Sequence, residues 1–128
     1  MRKIIFTLIM LISLAWSTVA TAFTRLPASV LFEKDSTNVM ESQMPQIEVV
    51  AEYMRNNPGA SIYIGGFTSQ NTPKDKVDII TTLRAQNVKK ILVERFHVKA
   101  ENIHALGVGV SSLYKEAWQN ETVTFFKP

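Results

Sequence analysis

A guanidinium stands where a core side chain belongs. At 100° per residue, the segment from Val77 to Leu92 brings Val77, Ile80, Arg84, Val88 and Ile91 within about 60° of one another, so Arg84 interrupts an apolar helical stripe. Arginine does not shed its proton to escape the cost of leaving water, so in that setting it requires an anionic partner. Its planar fork of N–H donors suits a carboxylate best. Two kinds of partner are open: the carboxylate of a ligand, or an acidic side chain of the protein itself, Asp35 or Glu121.

The rest of the chain offers little competing chemistry. It has no cysteine, no GxSxG elbow, no HExxH and no convincing carboxylate pair, which reads as a non-enzyme. Gly65-Gly66 lacks the lysine and helix start of a phosphate cradle. His97 and His104 are isolated and without metal-ligand spacing, so neither a metal nor a cofactor is expected. Tyr53, Tyr63, Tyr114, Trp118 and Phe125-Phe126 read as core or edge packing. Joint exposure of Tyr114 and Trp118 would instead mark a partner or glycan-stacking surface.

The elements that must hold Arg84 follow from periodicity. Val30 to Glu33 predicts a first strand, closed by the polar run Lys34 to Asn38. From Met44 the apolar positions Ile47, Val50, Ala51 and Met54 take helical spacing, ended by Asn56-Asn57-Pro58-Gly59. Ser61 to Gly66 alternates as a strand whose glycines let something approach the backbone closely. Thr68 to Lys74 is a loop, and a second helix runs from about Asp75 to Phe96. Strands follow through Ile103 to Gly107 and around Thr122 to Phe126. The order is βαβαββ. Two one-sided helices and four short strands bury themselves most simply as an α+β two-layer sandwich, a mixed four-stranded sheet with both helices on one face. With right-handed parallel crossovers, Thr68, Ser69 and Arg84 share one end of that sheet.

The amino terminus predicts a secretory leader. Met1-Arg2-Lys3 precede the apolar run Ile4 to Trp16, and Ala20-Thr21-Ala22 is a small-x-small cleavage site before Phe23. No cysteine follows to carry a lipid, so the expected mature chain is a periplasmic protein with no transmembrane anchor after cleavage, soluble or associated with the cell wall or outer membrane. It comprises a lead-in over 23–29 and one domain over 30–128. Arg2 and Lys3 leave with the leader, so 12 basic residues face 11 acidic ones at a net charge of +1. Nothing in that balance favours nucleic acid.

Gly66-Phe67-Thr68-Ser69, followed by Ile80-Thr81-x-x-Arg84-Ala85-x-x-Val88, resembles without a gap the OmpA-like pattern GHTD then LSxxRAxxV. Phe32 to Asp35 is similar to the family's first strand and turn, Glu101 to Gly109 to its third strand, and Asn120-Glu121-Thr122-Val123 stands where it usually has NRRV. The resemblance implies the same sandwich and a role in holding the diaminopimelate stem peptide of peptidoglycan. It assigns the ligand's carboxylate to Arg84, with Thr68, Ser69 and Asn38 beside it. Departures are equally plain. Ser69 replaces the aspartate that receives the ligand's ammonium, Val77 replaces an asparagine, and Glu121-Thr122 replace two arginines. A hydrogen bond to a charged group is worth about 1.5–3 kcal/mol, so losing that carboxylate weakens binding by about one to two decades. Glu121 in a basic position also offers an internal partner that would close the pocket. The rival expectation is therefore a degenerate interaction module that recruits another cell-envelope protein.

Overall fold

The computed structural model describes residues 23–128. The leader expected over 1–22 lies outside them. Apart from three short 3-10 turns, the elements follow in the order β1 (Thr24–Leu31), α1 (Met44–Asn56), β2 (Ile62–Thr68), α2 (Lys74–Glu94), β3 (Ile103–Val110) and β4 (Thr122–Lys127). Both helices and three of the four strands fall close to their predicted places. The exception is β1, which takes in six of the seven residues expected as a lead-in and ends before Phe32 and Glu33. Alternation of Leu26, Ala28, Val30 and Phe32 carries the inward face of that segment. Pro27 lies where the pairing register shifts between Arg25 and Ser29, the usual position for a proline in an edge strand.

The sheet runs β1-β4-β2-β3. β4 lies antiparallel between β1 and β2, while β2 and β3 pair in parallel. Edge strand β1 does not leave its outward N–H groups bare: Ser29 and Leu31 donate to the Gln46 and Gln43 side-chain carbonyls at 3.1 and 2.9 Å. The core gathers Val30, Ile47, Val50, Ile62, Ile64, Val88, Leu92, Val123 and Phe125, all fully buried between the helices and one face of the sheet. The opposite face keeps Leu106 and Val108 exposed.

Gly66 sets the distance between α2 and β2. A Cβ there would run into the Thr81 carbonyl, so the helix lies flush on the strand. The close approach read from Gly65-Gly66 is thus partly that of the protein's own helix. Gly107 does the same on β3 beneath Thr81 and Thr82. α2 buries Ile80, Thr81, Arg84, Ala85, Val88 and Leu92, a face turned slightly from the expected stripe, with Leu92 in the core and Ile91 only partly covered.

Candidate functional site

Arg84 is 0 % exposed, the bulkiest fully buried side chain in the domain. Its position midway along α2, pressed on β2 by Gly66, aims the guanidinium at the carboxyl end of β2 and the turn after β1. Nε donates to the Ser36 carbonyl at 2.7 Å and one Nη to the Glu33 carbonyl at 3.1 Å. The other Nη donates to the Phe67 carbonyl at 2.8 Å and to Glu121 Oε1 at 2.7 Å. Four of the five N–H groups a guanidinium carries are thereby used. Phe32 covers the group, its ring centre 5.0 Å from Cζ. The turn that supplies two of the carbonyls is a tight one: Ser36 N–H donates back to Glu33 O, and Asp35 takes a positive φ of 62°. Asp35 itself faces outward, so of the two internal partners read from the sequence the structure selects Glu121.

Glu121 is equally secluded at 2 % exposure. Its backbone is fixed on both sides, by the one-turn 3-10 helix Ala117–Asn120 before it and by Phe32 N–H, which donates to its carbonyl at 2.8 Å. Besides Arg84, its Oε1 accepts from Thr68 Oγ1 at 3.0 Å. Burial pushes this carboxyl up, but hydrogen bonds from Ser69, Arg84 and Thr68 and the Arg84 charge outweigh it. The group is held below its ordinary value of 4.5. The pair is ionised and buried, at 0 and 3 % side-chain exposure.

The other expected site residues divide into two groups. Thr68 (0 % exposed) and Ser69 (1 %) stand at the end of β2 beside Glu121, and Thr68 Oγ1 also bonds Thr72 Oγ1. Asn38 is exposed on the turn after β1, its N–H donating to Ser36 Oγ at 3.1 Å. It is joined to the Arg84 surroundings only through that turn. Two contributors were not singled out from the sequence. Thr72 completes the hydroxyl cluster, and Asn87, one helical turn beyond Arg84, donates to the Thr37 carbonyl at 2.8 Å and pins the same turn. Asn87 lies on the Arg84 side of the helix, and an amide there was the legible signal.

In front of Ser69 opens a polar cavity of about 360 Å³, lined by Ser69, Gln70, Asn71, Ser112, Tyr114, Lys115, Ala117 and Asn120. Asn120, 4 % exposed, builds its far wall. Its side chain accepts from Ser111 Oγ and Tyr114 N–H and donates to the Tyr114 and Glu116 carbonyls. Tyr114 and Trp118 are exposed in this same loop, at 37 and 59 %. They do not belong to the core or edge packing expected of them, and they meet the condition for an aromatic contact surface.

Comparison with known proteins agrees with this architecture. A model of the OmpA family matches residues 31–122. Outer membrane protein Omp38 of Acinetobacter baumannii is 30% identical over 78 residues, which is 61% of this chain but 22% of that protein. The chain thus spans about a fifth of the relative's length. Among solved structures, the peptidoglycan-associated lipoprotein of Burkholderia pseudomallei superposes with a TM-score of 0.70 at 22% identity, over 79% of this chain and 90% of that one. The periplasmic domain of Helicobacter pylori MotB gives 0.65 at 22%, over 82% and 72%. These two likenesses show the fold. Among the described residues, no helix is long and apolar enough to cross a membrane.

Proposed function

The chain belongs to the OmpA family, and from that premise we propose that it serves in the periplasm as a non-catalytic peptidoglycan-binding module whose ligand is the diaminopimelate stem peptide. The observation that carries this reading is the place of the Arg84–Glu121 pair. It lies at the carboxyl end of β2, directly behind Ser69 and the polar cavity, where the motif and the cavity coincide. Ser69 supplies a hydroxyl on the cavity wall, with Thr68 and the Arg84–Glu121 pair buried behind it and Asn38 on the adjoining turn. Tyr114 offers a ring on which a sugar or peptide plane can stack. The names of the B. pseudomallei lipoprotein and of a Pseudomonas aeruginosa cell wall anchor, which shares the fold at a TM-score of 0.63, fit this assignment. The test is retention on purified sacculi. The mature domain, 23–128, should co-sediment, and Ser112→Trp, at an exposed position on the cavity wall, should release it. Absence of co-sedimentation by the folded domain overturns the reading.

One observation favours a second reading. Arg84 and Glu121 neutralise each other's charge in burial, which is what a module that kept the sandwich and gave up the ligand would show. Such a module would act by contact with another cell-envelope protein, through the loop carrying Tyr114 and Trp118. It predicts no co-sedimentation, and a defect from Trp118→Ala in the assembly of an envelope complex.

A further inference from the structure

Glu121 holds the seat that an incoming carboxylate would need. The Arg84 fork meets three backbone carbonyls and one carboxylate oxygen, and that oxygen is the only anion bonded to the guanidinium among the described residues. Carbonyls neutralise no charge, so the ionic demand of Arg84 is met by Glu121 alone. The distance of 2.7 Å is that of a charge-assisted hydrogen bond. Exchange for an external carboxylate would require Glu121, 2 % exposed and also held by Thr68, to become a buried unpaired anion or to leave for solvent. Either step costs more than one replacement contact returns. The cavity beyond is walled by hydroxyls, amides, one phenol and the Lys115 ammonium, and neither Arg84 nor Glu121 reaches its surface.

We infer that Glu121 is a built-in occupant of a carboxylate seat and thereby the specificity-determining residue of the site: as it stands, the protein admits no ligand carboxylate to Arg84, and without Glu121 it takes a free carboxylate there. The part that concerns peptide choice rests on the peptidoglycan reading. The part that concerns the seat does not.

The seat is tested with acetate alone. In Glu121→Ala, with Glu121→Ser as the companion if the first does not fold, acetate should raise the melting temperature and shift the Arg84 guanidinium NMR signals saturably, against chloride at equal ionic strength. In the wild type it should do neither. Acetate binding at Arg84 in the wild type, or none in a folded variant, overturns the seat. Peptide choice is read on the wild-type protein, with two stem peptides that differ only in a free or amidated diaminopimelate side-chain carboxyl. Both forms should leave the wild-type Arg84 signals unmoved, and Glu121→Ala should move the preference toward the free carboxylate by about tenfold or more. A wild-type preference of tenfold for the free carboxylate, with Arg84 signals moving, overturns the specificity. If neither peptide binds either protein, the specificity falls with the peptidoglycan reading, while the acetate result still decides the seat.

Discussion

Two arginine–glutamate pairs in this domain share a closest N···O distance of 2.7 Å and almost nothing else. Arg84–Glu121 is buried, at 0 and 3 % side-chain exposure; Arg95–Glu41 lies in solvent at 50 and 75 %. By contact geometry alone the exposed pair looks the stronger, since it is bidentate, with a second contact of 3.3 Å. Environment reverses that ranking. In water each partner of Arg95–Glu41 exchanges protein contacts for hydration at little net cost, and salt screens what remains. In the core neither Arg84 nor Glu121 has any other source of opposite charge, so each depends on the other for its place in the fold. Distance reports contact; seclusion decides consequence.

The sharpest way to break the contrast is Arg84→Ala. It leaves Glu121 charged and buried and strips the Ser36, Glu33 and Phe67 carbonyls of a donor, so urea denaturation should show a loss of about 3–5 kcal/mol. Replacing both partners by apolar residues, Arg84→Met with Glu121→Leu, should recover much of that loss, because it removes the stranded charge rather than creating one. If the double variant is as unstable as the sum of the singles, the pair is not the coupled unit described here.

Gly66→Ala comes next. Its methyl group meets the Thr81 carbonyl, and since that neighbour is helix backbone, α2 must lift. Overpacking of this kind costs about 1–3 kcal/mol, and the lift also lengthens the Arg84 contacts to Phe67 and Glu121. The exposed pair should not register the change.

Glu121→Gln has a comparable effect at neutral pH, about 3 kcal/mol, since the amide oxygen still accepts from Arg84 and Thr68 but no longer offsets the buried charge. Its distinctive signature is pH. A carboxyl held below its ordinary value of 4.5 in the folded state contributes stability that is complete above that value and is lost as pH falls through the lower folded value. The wild type should therefore lose stability below about pH 4.5 more steeply than Glu121→Gln. Glu41 is lowered too, first by the hydrogen bond from Arg95 and then by its charge, but it lies in solvent. Glu41→Gln and Arg95→Ala, the smallest of these effects, should give melting curves that overlay the wild type at physiological salt. A clear shift in either would mean that surface charge holds the Glu41 turn.

How far the sequence foretold all this depends on which atoms are in question. Helical spacing placed α1 and α2 because their apolar faces repeat over several turns. β1 was read six residues late, since Pro27 and the hydroxyls around it interrupt an alternation that is nevertheless present at Leu26, Ala28 and Val30. Arg84 was legible as a charge out of place, and Glu121 as an acid in a basic position. The rest of the Arg84 surroundings is made of carbonyls from Glu33, Ser36 and Phe67. Carbonyl direction is set by backbone torsions, such as the positive φ at Asp35, and side-chain types do not encode it. Thr72 and Asn87 were missed for a related reason: a lone hydroxyl or amide gains meaning only when the turn that it ties down is known.

The most direct measurement of the central claim is the NMR spectrum of the arginine guanidinium groups in the domain at neutral pH. Arg84 should give separate, slowly exchanging Nε–H and Nη–H signals, because its donors are locked by the Ser36, Glu33 and Phe67 carbonyls and by Glu121, while Arg95 gives the averaged, rapidly exchanging signals of a solvated pair. An Arg84 group that rotates and exchanges as freely as Arg95 would contradict the closed, internally paired site.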